Sequence, residues 1–431
     1  MTQEKRIPRR NFLATAAGAF AVPYVIPSSA LGLGGAVAPS ERITIGTIGC
    51  GGMGRGNTRG FLRQGDTQVV AVCDVDRKHL DQTAEMVNKH YESDDCAKYT
   101  DYRQLLARED IDAVCIATPD HWHALCSVAA ADAKKDIYCQ KPMTHTFAGG
   151  QALVAAVEKN GVVFQVGSQQ RSQRNFRQAA QLLRNGHIGK VKHVEVGLPT
   201  GHQAAKGDTA VKEPPANLDY DFWCGPSPKL PYVAARVHWN WRWHLSYGGG
   251  QLMDWIGHHN DIAHWGLDMD RSGPVEVKAL EFEYPEDRSV WNAAWKYEIW
   301  CKYEGGITTS ISNHHERGCR WIGEDGWIFV ARGKIRASNP EWLRREYDAG
   351  PTKLYESAEH HRNFLDCVKS RKPCICPAET GHRSITPGHL GLASEALGGR
   401  TIRWDPRAEK VLGDPEAEKV VKRADFRSPW L

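Results

Sequence analysis

The chain has 431 residues, 41% hydrophobic and 25% charged, the balance of an ordinary globular protein of about two domains. Its formal net charge of +4 is small for that length, and no dense Lys/Arg run lies beyond the first ten residues, so nucleic acid is excluded as an expected partner. The 12 Cys contain no CxxC pair, which argues against a zinc site and against a disulfide framework.

Residues 1–38 read as a removable address. Arg9-Arg10-Asn11-Phe12-Leu13 follows a charged stretch, an apolar run continues from Leu13 to Ile26, and Ser28-Ser29-Ala30 offers a cleavage site. The paired arginines resemble the twin-arginine export signal, which carries proteins already folded to the periplasm or beyond. That route accommodates many unpaired Cys, provided they are buried before arrival. Cys50, Cys73, Cys115 and Cys139 sit in or beside apolar runs, where Cys behaves as a small hydrophobe. After removal of the signal no stable membrane span is expected.

Residues 41–165 alternate strand and helix. Ile43–Ile48 reads as a buried parallel strand that empties into Gly49-Cys50-Gly51-Gly52-Met53-Gly54. Gly49, Gly51 and Gly54 fit GxGxxG, a tight turn whose backbone approaches a pyrophosphate at a helix N-terminus, with Gly52 and Met53 in the same turn. A second strand, Val69–Cys73, ends in Asp74, where an acidic residue bonds the adenosine ribose. A carboxylate there repels a 2′-phosphate and favours NAD, with Arg77 keeping NADP open. A third strand, Asp112–Ala117, delivers Thr118, Pro119, Asp120, His121, Trp122 and His123 to the carboxyl edge of the sheet. Asp136–Cys139 delivers Lys141 and Pro142 to the same edge.

Residues 166–404 are less regular. Alternation over Val191–Gly197, Val275–Tyr284, Lys296–Tyr303 and Ile307–Ser312 predicts an open antiparallel sheet. Cys374 and Cys376 have the spacing of one strand face. The Pro- and aromatic-rich stretch Glu213–Tyr247 is too long for a plain connection, and loops of that size are usually functional. Many of the 15 Trp fall between Trp223 and Trp327, which suits either a sugar-stacking surface or a core. Gly248-Gly249-Gly250 then opens an apolar helix on which Asp254, His258 and Asp261 share one face. A carboxylate beside an imidazole sets its tautomer and raises its basicity, which suits a general base. His258, His259 and His264 do not share a face, so no metal is expected, and His314-His315 and His360-His361 show no carboxylate at ligand spacing. Residues 405–431 read as a C-terminal tail.

The glycine turn, Thr118-Pro119 with His123, Lys141-Pro142 and the Asp254/His258 helix occur in the order and spacing of the Gfo/Idh/MocA oxidoreductases, which the chain resembles from about Arg42 to Trp404. The resemblance implies an α/β Rossmann domain plus an α+β domain with an open, largely antiparallel sheet, assembled as a homo-oligomer, dimer or tetramer. It implies that Lys141 orients substrate and nicotinamide, that His258 takes a hydroxyl proton, and that Asp254 holds His258 or bonds the substrate. Trp122, Arg171, Trp241 and Asp261 are the candidate substrate contacts. The family's usual Glu-Lys-Pro is Gln140-Lys141-Pro142 here, which removes a charge partner from Lys141. The expected activity is NAD(P)-dependent oxidation of a sugar or polyol hydroxyl. An exported enzyme has no dependable free nicotinamide, so its cofactor should be tightly bound and regenerated in place. The alternatives are a redox-neutral glycosidase or lyase that oxidises, eliminates and re-reduces, and a non-catalytic binder; Lys141, Asp254 and His258 together speak against the binder.

Overall fold

A run of β-branched residues ending at Gly49 opens the first sheet of the computed structural model, which describes residues 37–38, 41–344, 347–423 and 426–430. The export signal expected over 1–38 lies outside the described residues except for 37–38. Six strands follow: β1 (Ile43–Ile48), β2 (Thr67–Cys73), β3 (Ala97–Tyr99), β4 (Ala113–Ile116), β5 (Asp136–Cys139) and β6 (Phe164–Val166). They lie in the order β3-β2-β1-β4-β5-β6 with every pair parallel. This is the doubly wound order, whose chain reverses direction between β1 and β4, and ligands bind outside the carboxyl ends of those two strands. The residues of β4, β5 and β6 are all buried, as helices on both faces require.

The second sheet takes β7 (Val191–Gly197), β8 (Glu276–Glu283), β9 (Lys296–Lys302), β10 (Thr308–Ser312), β11 (Gly318–Gly323), β12 (Trp327–Ala331), β13 (Lys334–Ala337), β14 (Ile402–Asp405) and β15 (Lys410–Val411). Their order is β13-β12-β11-β7-β10-β9-β8-β14-β15. All neighbours are antiparallel except β7 and β10, so the sheet is mixed but mostly antiparallel. Burial alternates residue by residue along β9, the mark of a sheet with one face packed. That packed face carries the helices Arg174–Arg184, Gly250–Leu267 and Ala378–Ala396.

The four strands expected in this half are present, trimmed by a residue or so at their ends. Cys374 and Cys376 do not share a strand face: they lie in an irregular segment, Cys374 in the core beneath β1 and β2 and Cys376 in the larger core under the second sheet. All twelve cysteines are free and buried. The helix His360–Ser370 gives Phe364, Leu365 and Cys367 to the same core as Ile43, Ile45 and Val69, so the nucleotide-binding half is completed by residues far downstream. Residues 405–430 include β15, the helix Pro415–Val421 and Trp430, whose ring meets Trp122 edge-on at 5.0 Å. Among the described residues no helix is long and apolar enough to cross a membrane.

Candidate active site

A cavity of about 980 Å³ runs from the glycine turn after β1 to the helix Gly250–Leu267. At the β1 end each glycine has a separate reason. Gly49 has φ +90, and an added Cβ would lie 2.6 Å from the backbone of Ala117 and Thr118. A Cβ on Gly54 would overlap the carbonyl oxygen of Gly49, so Gly54 packs helix on strand and does not itself line the cavity. Gly51 and Gly52 meet nothing within 4 Å and face the cavity, with Met53 beside them. Gly51 caps the helix Gly52–Leu62 without a side-chain bond, which leaves its first N–H groups free for an anion. The residues present therefore fit a dinucleotide pyrophosphate.

Asp74 lines the cavity at the end of β2, and its two oxygens accept from the backbone N–H groups of Cys50 (2.6 Å) and Asp76 (2.8 Å). Burial outweighs those donors and pushes its carboxyl up to about 6. Behind it, Asp76, His79 and His238 bring an oxygen and two ring nitrogens within 4.8 Å of one another, a cluster that no sequence spacing announced. The stretch 213–247 is fastened to this edge: Asp219 N donates to Val75 O (3.0 Å), Arg77 N to Asn217 O (2.9 Å) and Asn217 Nδ2 to Asp76 Oδ1 (2.8 Å).

At the other end Lys141 Nζ donates to Asp254 Oδ1 (2.8 Å) and to the Asp254 carbonyl (2.7 Å). Arg242 Nε reaches the same Oδ1 at 3.1 Å, and its guanidinium lies 4.3 Å from the ring centres of Trp239 and Trp241. Burial alone would raise the Asp254 carboxyl, but Lys141 and Arg242 together hold it below its usual range. The charge partner missing at position 140 is thus supplied from the helix, while Gln140 lies buried against Gly167.

His258 lines the cavity one turn beyond Asp254. Among the described residues the expected carboxylate–imidazole bond is absent: Asp254 is engaged by two cations, and the Nδ1 of His258 has no partner. Burial, then Lys141 and Arg332, push the imidazole well below its usual value, so the ring is held neutral and its basicity is lowered. Asp120, first residue of the helix Asp120–Asp132, also faces the cavity; burial and then Asp254 raise its carboxyl, and its Oδ1 is unpartnered among the described residues.

The other sequence candidates divide. Thr118, Pro119, Trp122, His123 and Trp241 line the cavity. His123 ties the two turns together, its ring nitrogens on Pro142 O (2.8 Å) and Thr118 O (3.0 Å). His121 does not line it; its nitrogens are taken by the carbonyls of Tyr247 and Trp223. Arg171 and Asp261 are also elsewhere, joined at 2.8 Å with side chains 1% and 0% exposed. Asp261 lies one turn below His258, too deep to meet a substrate, and Arg171 also grips Asp270 at 2.7 Å. His314 and His361 do find carboxylates, Glu281 at 2.5 Å and Glu359 at 2.9 Å, the first contributed across strands, where sequence spacing is silent. Sequence reasoning placed Asp120 at this edge without giving it a role, and missed Arg242 and Arg332 as cavity residues. For Arg242 a signal existed in the alternation Trp239-Asn240-Trp241-Arg242-Trp243.

Comparison with known proteins agrees with this layout. Residues 43–168 match the "Oxidoreductase family, NAD-binding Rossmann fold" and residues 173–431 the "Oxidoreductase family, C-terminal alpha/beta domain". The chain is 27% identical to the myo-inositol 2-dehydrogenase of Thermotoga maritima over 366 residues, covering 81% of this chain and 95% of that one. It is 29% identical to the uncharacterized oxidoreductase YrbE of Bacillus subtilis over 181 residues, 42% of this chain and about half (48%) of the relative's length. In fold it is similar to the WlbA dehydrogenase of Bordetella pertussis, solved with NADH and UDP-GlcNAcA, with a TM-score of 0.63 at 19% identity, covering 84% of this chain and 99% of that one. With an NAD-binding Rossmann domain and the matching second domain both in place, the chain belongs to the Gfo/Idh/MocA oxidoreductase family.

Proposed function

We propose that this cavity oxidises a hydroxyl-bearing carbon of a sugar or polyol, with a nicotinamide dinucleotide retained between turnovers. The observation that carries the reading is the meeting of Lys141, Asp254 and a neutral His258 in the cavity whose far end is the open glycine turn. Gly51, Gly52, the helix N-terminus and Asp74 would hold the dinucleotide, which supplies a hydride acceptor when bound. Asp74 favours NAD over NADP, because an ionised carboxylate repels a 2′-phosphate.

The chain's own part is binding and proton movement. Lys141 uses two of its three ammonium protons on Asp254 and has one left for the substrate oxygen. Asp254 Oδ2 is free to accept a neighbouring substrate hydroxyl, since both cations bond Oδ1. His258 can take the hydroxyl proton as the C–H bond gives up its electron pair, because burial keeps the ring unprotonated where it lines the cavity. Trp241 and Trp122 offer flat apolar walls to a sugar ring.

The fastened 213–247 stretch, with Trp223, His238, Trp239, Trp241, Arg242 and Trp243 on the cavity, supports a cofactor that does not exchange freely. That would suit a protein exported folded through its Arg9-Arg10 signal. The test is protein purified without added cofactor, examined by mass and by the absorbance of reduced nicotinamide before and after a panel of sugars and glycosides. Bound nucleotide whose absorbance rises with sugar is the expected result. Product release at constant absorbance would replace this reading with a redox-neutral glycosidase. No bound nucleotide, even after added NAD, would overturn it.

A further inference from the structure

Three cations face the reacting end of the cavity, Lys141, Arg242 and Arg332, and Asp254 neutralises the first two through a single oxygen. Arg332 is left over. It sits in the turn between β12 and β13, directly across the hairpin register from Arg317: Cys319 pairs with Val330, and two steps further the strands set these arginines side by side. Their guanidinium carbons lie 4.8 Å and 5.3 Å from the ring centre of Trp255. Trp255 is the residue after Asp254, and its ring is 5.6 Å from that of His258. Among the described residues neither arginine has a carboxylate partner, although this chain forms many ion pairs elsewhere. Gln170, with its amide turned so that both ends are satisfied, donates to His258 O (3.0 Å) and accepts from Arg332 Nε (3.1 Å). That bond aims Arg332 from the side and leaves its two terminal nitrogens open. Two like charges set side by side without a counter-charge are unfavourable. A guanidinium fork held this way is the geometry that takes an oxyanion through paired hydrogen bonds.

We infer that the substrate carries an anionic substituent, a carboxylate or a phosphate on the sugar, which Arg332 and Arg317 receive beside Trp255 at the mouth of the cavity. The inference rests on the reading of this cavity as a sugar site and narrows it to acidic sugars. It also accounts for the surplus of positive charge, since an anionic group would supply the counter-charge that the chain lacks.

The test is calorimetric binding to the holoenzyme of matched hexoses, hexuronic acids and hexose 6-phosphates, with turnover followed on the same samples. An acidic member should bind about 10- to 100-fold more tightly than its neutral parent, the range expected of a charge-assisted bidentate pair. Arg332→Gln should make the two affinities converge, and Arg332→Lys should restore part of the difference. Arg332 is exposed in a hairpin turn, so these variants keep the fold. Preference for the uronic acid or for the phosphate identifies which anion the pair serves. Equal binding of neutral and acidic sugars overturns the inference, as does a preference that survives both Arg332→Gln and Arg317→Gln. Arg332-dependent binding with neither absorbance change nor product would uphold the inference and remove the oxidoreductase reading instead.

Discussion

Arg171 makes a sharp test because sequence reasoning placed it on the substrate and the structure places it under the site. Its guanidinium forms five hydrogen bonds, Nε to Asp261 Oδ2 (2.8 Å), Nη1 to Asp270 Oδ2 (3.0 Å), and Nη2 to Asp270 Oδ1 (2.7 Å), Asp261 Oδ1 (3.0 Å) and Asp261 O (3.3 Å). Trp265 covers it at 5.2 Å. Arg171→Met keeps the bulk and removes the charge, stranding a carboxylate that is 0% exposed. Breaking such a buried pair costs about 3–5 kcal/mol, because one partner is left without compensation. Burial already raises the Asp261 carboxyl against the pull of Arg171, so the stranded group would take up a proton, which keeps the loss inside that range. For a chain of this length the loss corresponds to a fall in Tm of about 4–6 °C, since the shift per kcal/mol shrinks as the unfolding entropy grows. Thermal unfolding followed by tryptophan fluorescence measures it, and steady-state kinetics well below the transition measures KM. An unchanged Tm with a raised KM would mean that Arg171 holds substrate and that the buried-pair argument is wrong.

Lys141→Ala and His258→Ala should each lower kcat by at least ~100-fold, the usual scale for a lost acid–base group, with cofactor still bound by mass; near-normal turnover would remove them from the chemistry. Gly51→Val should abolish nucleotide retention while leaving Tm nearly unchanged, because its Cβ space is open to the cavity and not to protein; retained nucleotide would refute the cradle. Asp74 has its carboxyl raised to about 6, so it is ionised at pH 7 and neutral at pH 5. NAD retention should therefore weaken as pH falls through 6, while the stability of the cofactor-free protein, which favours the neutral carboxyl, should be lost as pH rises through it. Asp74→Asn should flatten both profiles, and a pH dependence unaltered in that variant would assign the titration to another group. Replacing Arg9 and Arg10 with Lys should keep the protein in the cytoplasm on cell fractionation, and export of the variant would rule out the twin-arginine route.

Much of the first domain was legible because its signals are local. A parallel strand buried on both faces is a short apolar run, and Gly49 to Gly54 states a backbone requirement in consecutive letters. Lys141, Asp254 and His258 could be named because they end a strand or share a helix face. What they bond could not, since Arg242 arrives from a separate aromatic stretch and takes the carboxylate expected to serve His258. Helical spacing brought Asp254, His258 and Asp261 onto one face but carried no depth, and depth separates the cavity residues from the Arg171–Asp261 pair. The strands β11 to β13 went unread because they are short, β11 and β13 being also interrupted by charge, and with them Arg317 and Arg332. Their meeting is a matter of register across a hairpin, which no single segment contains.

The dependence of the nucleotide-binding half on the helix His360–Ser370 bears on how the protein is made. Phe364 and Leu365 fill the core beneath β1, and Arg362 pairs with Asp66 at a sequence separation of 296. A nascent chain that has emerged only as far as β6 exposes that patch, and the order in which domains usually mature during translation is unavailable to it. Synthesis must pass residue 370 before the first half can close. A ribosome-bound fragment ending near residue 168 would then be a client for chaperones, and the nucleotide site would come into being only with the rest of the molecule.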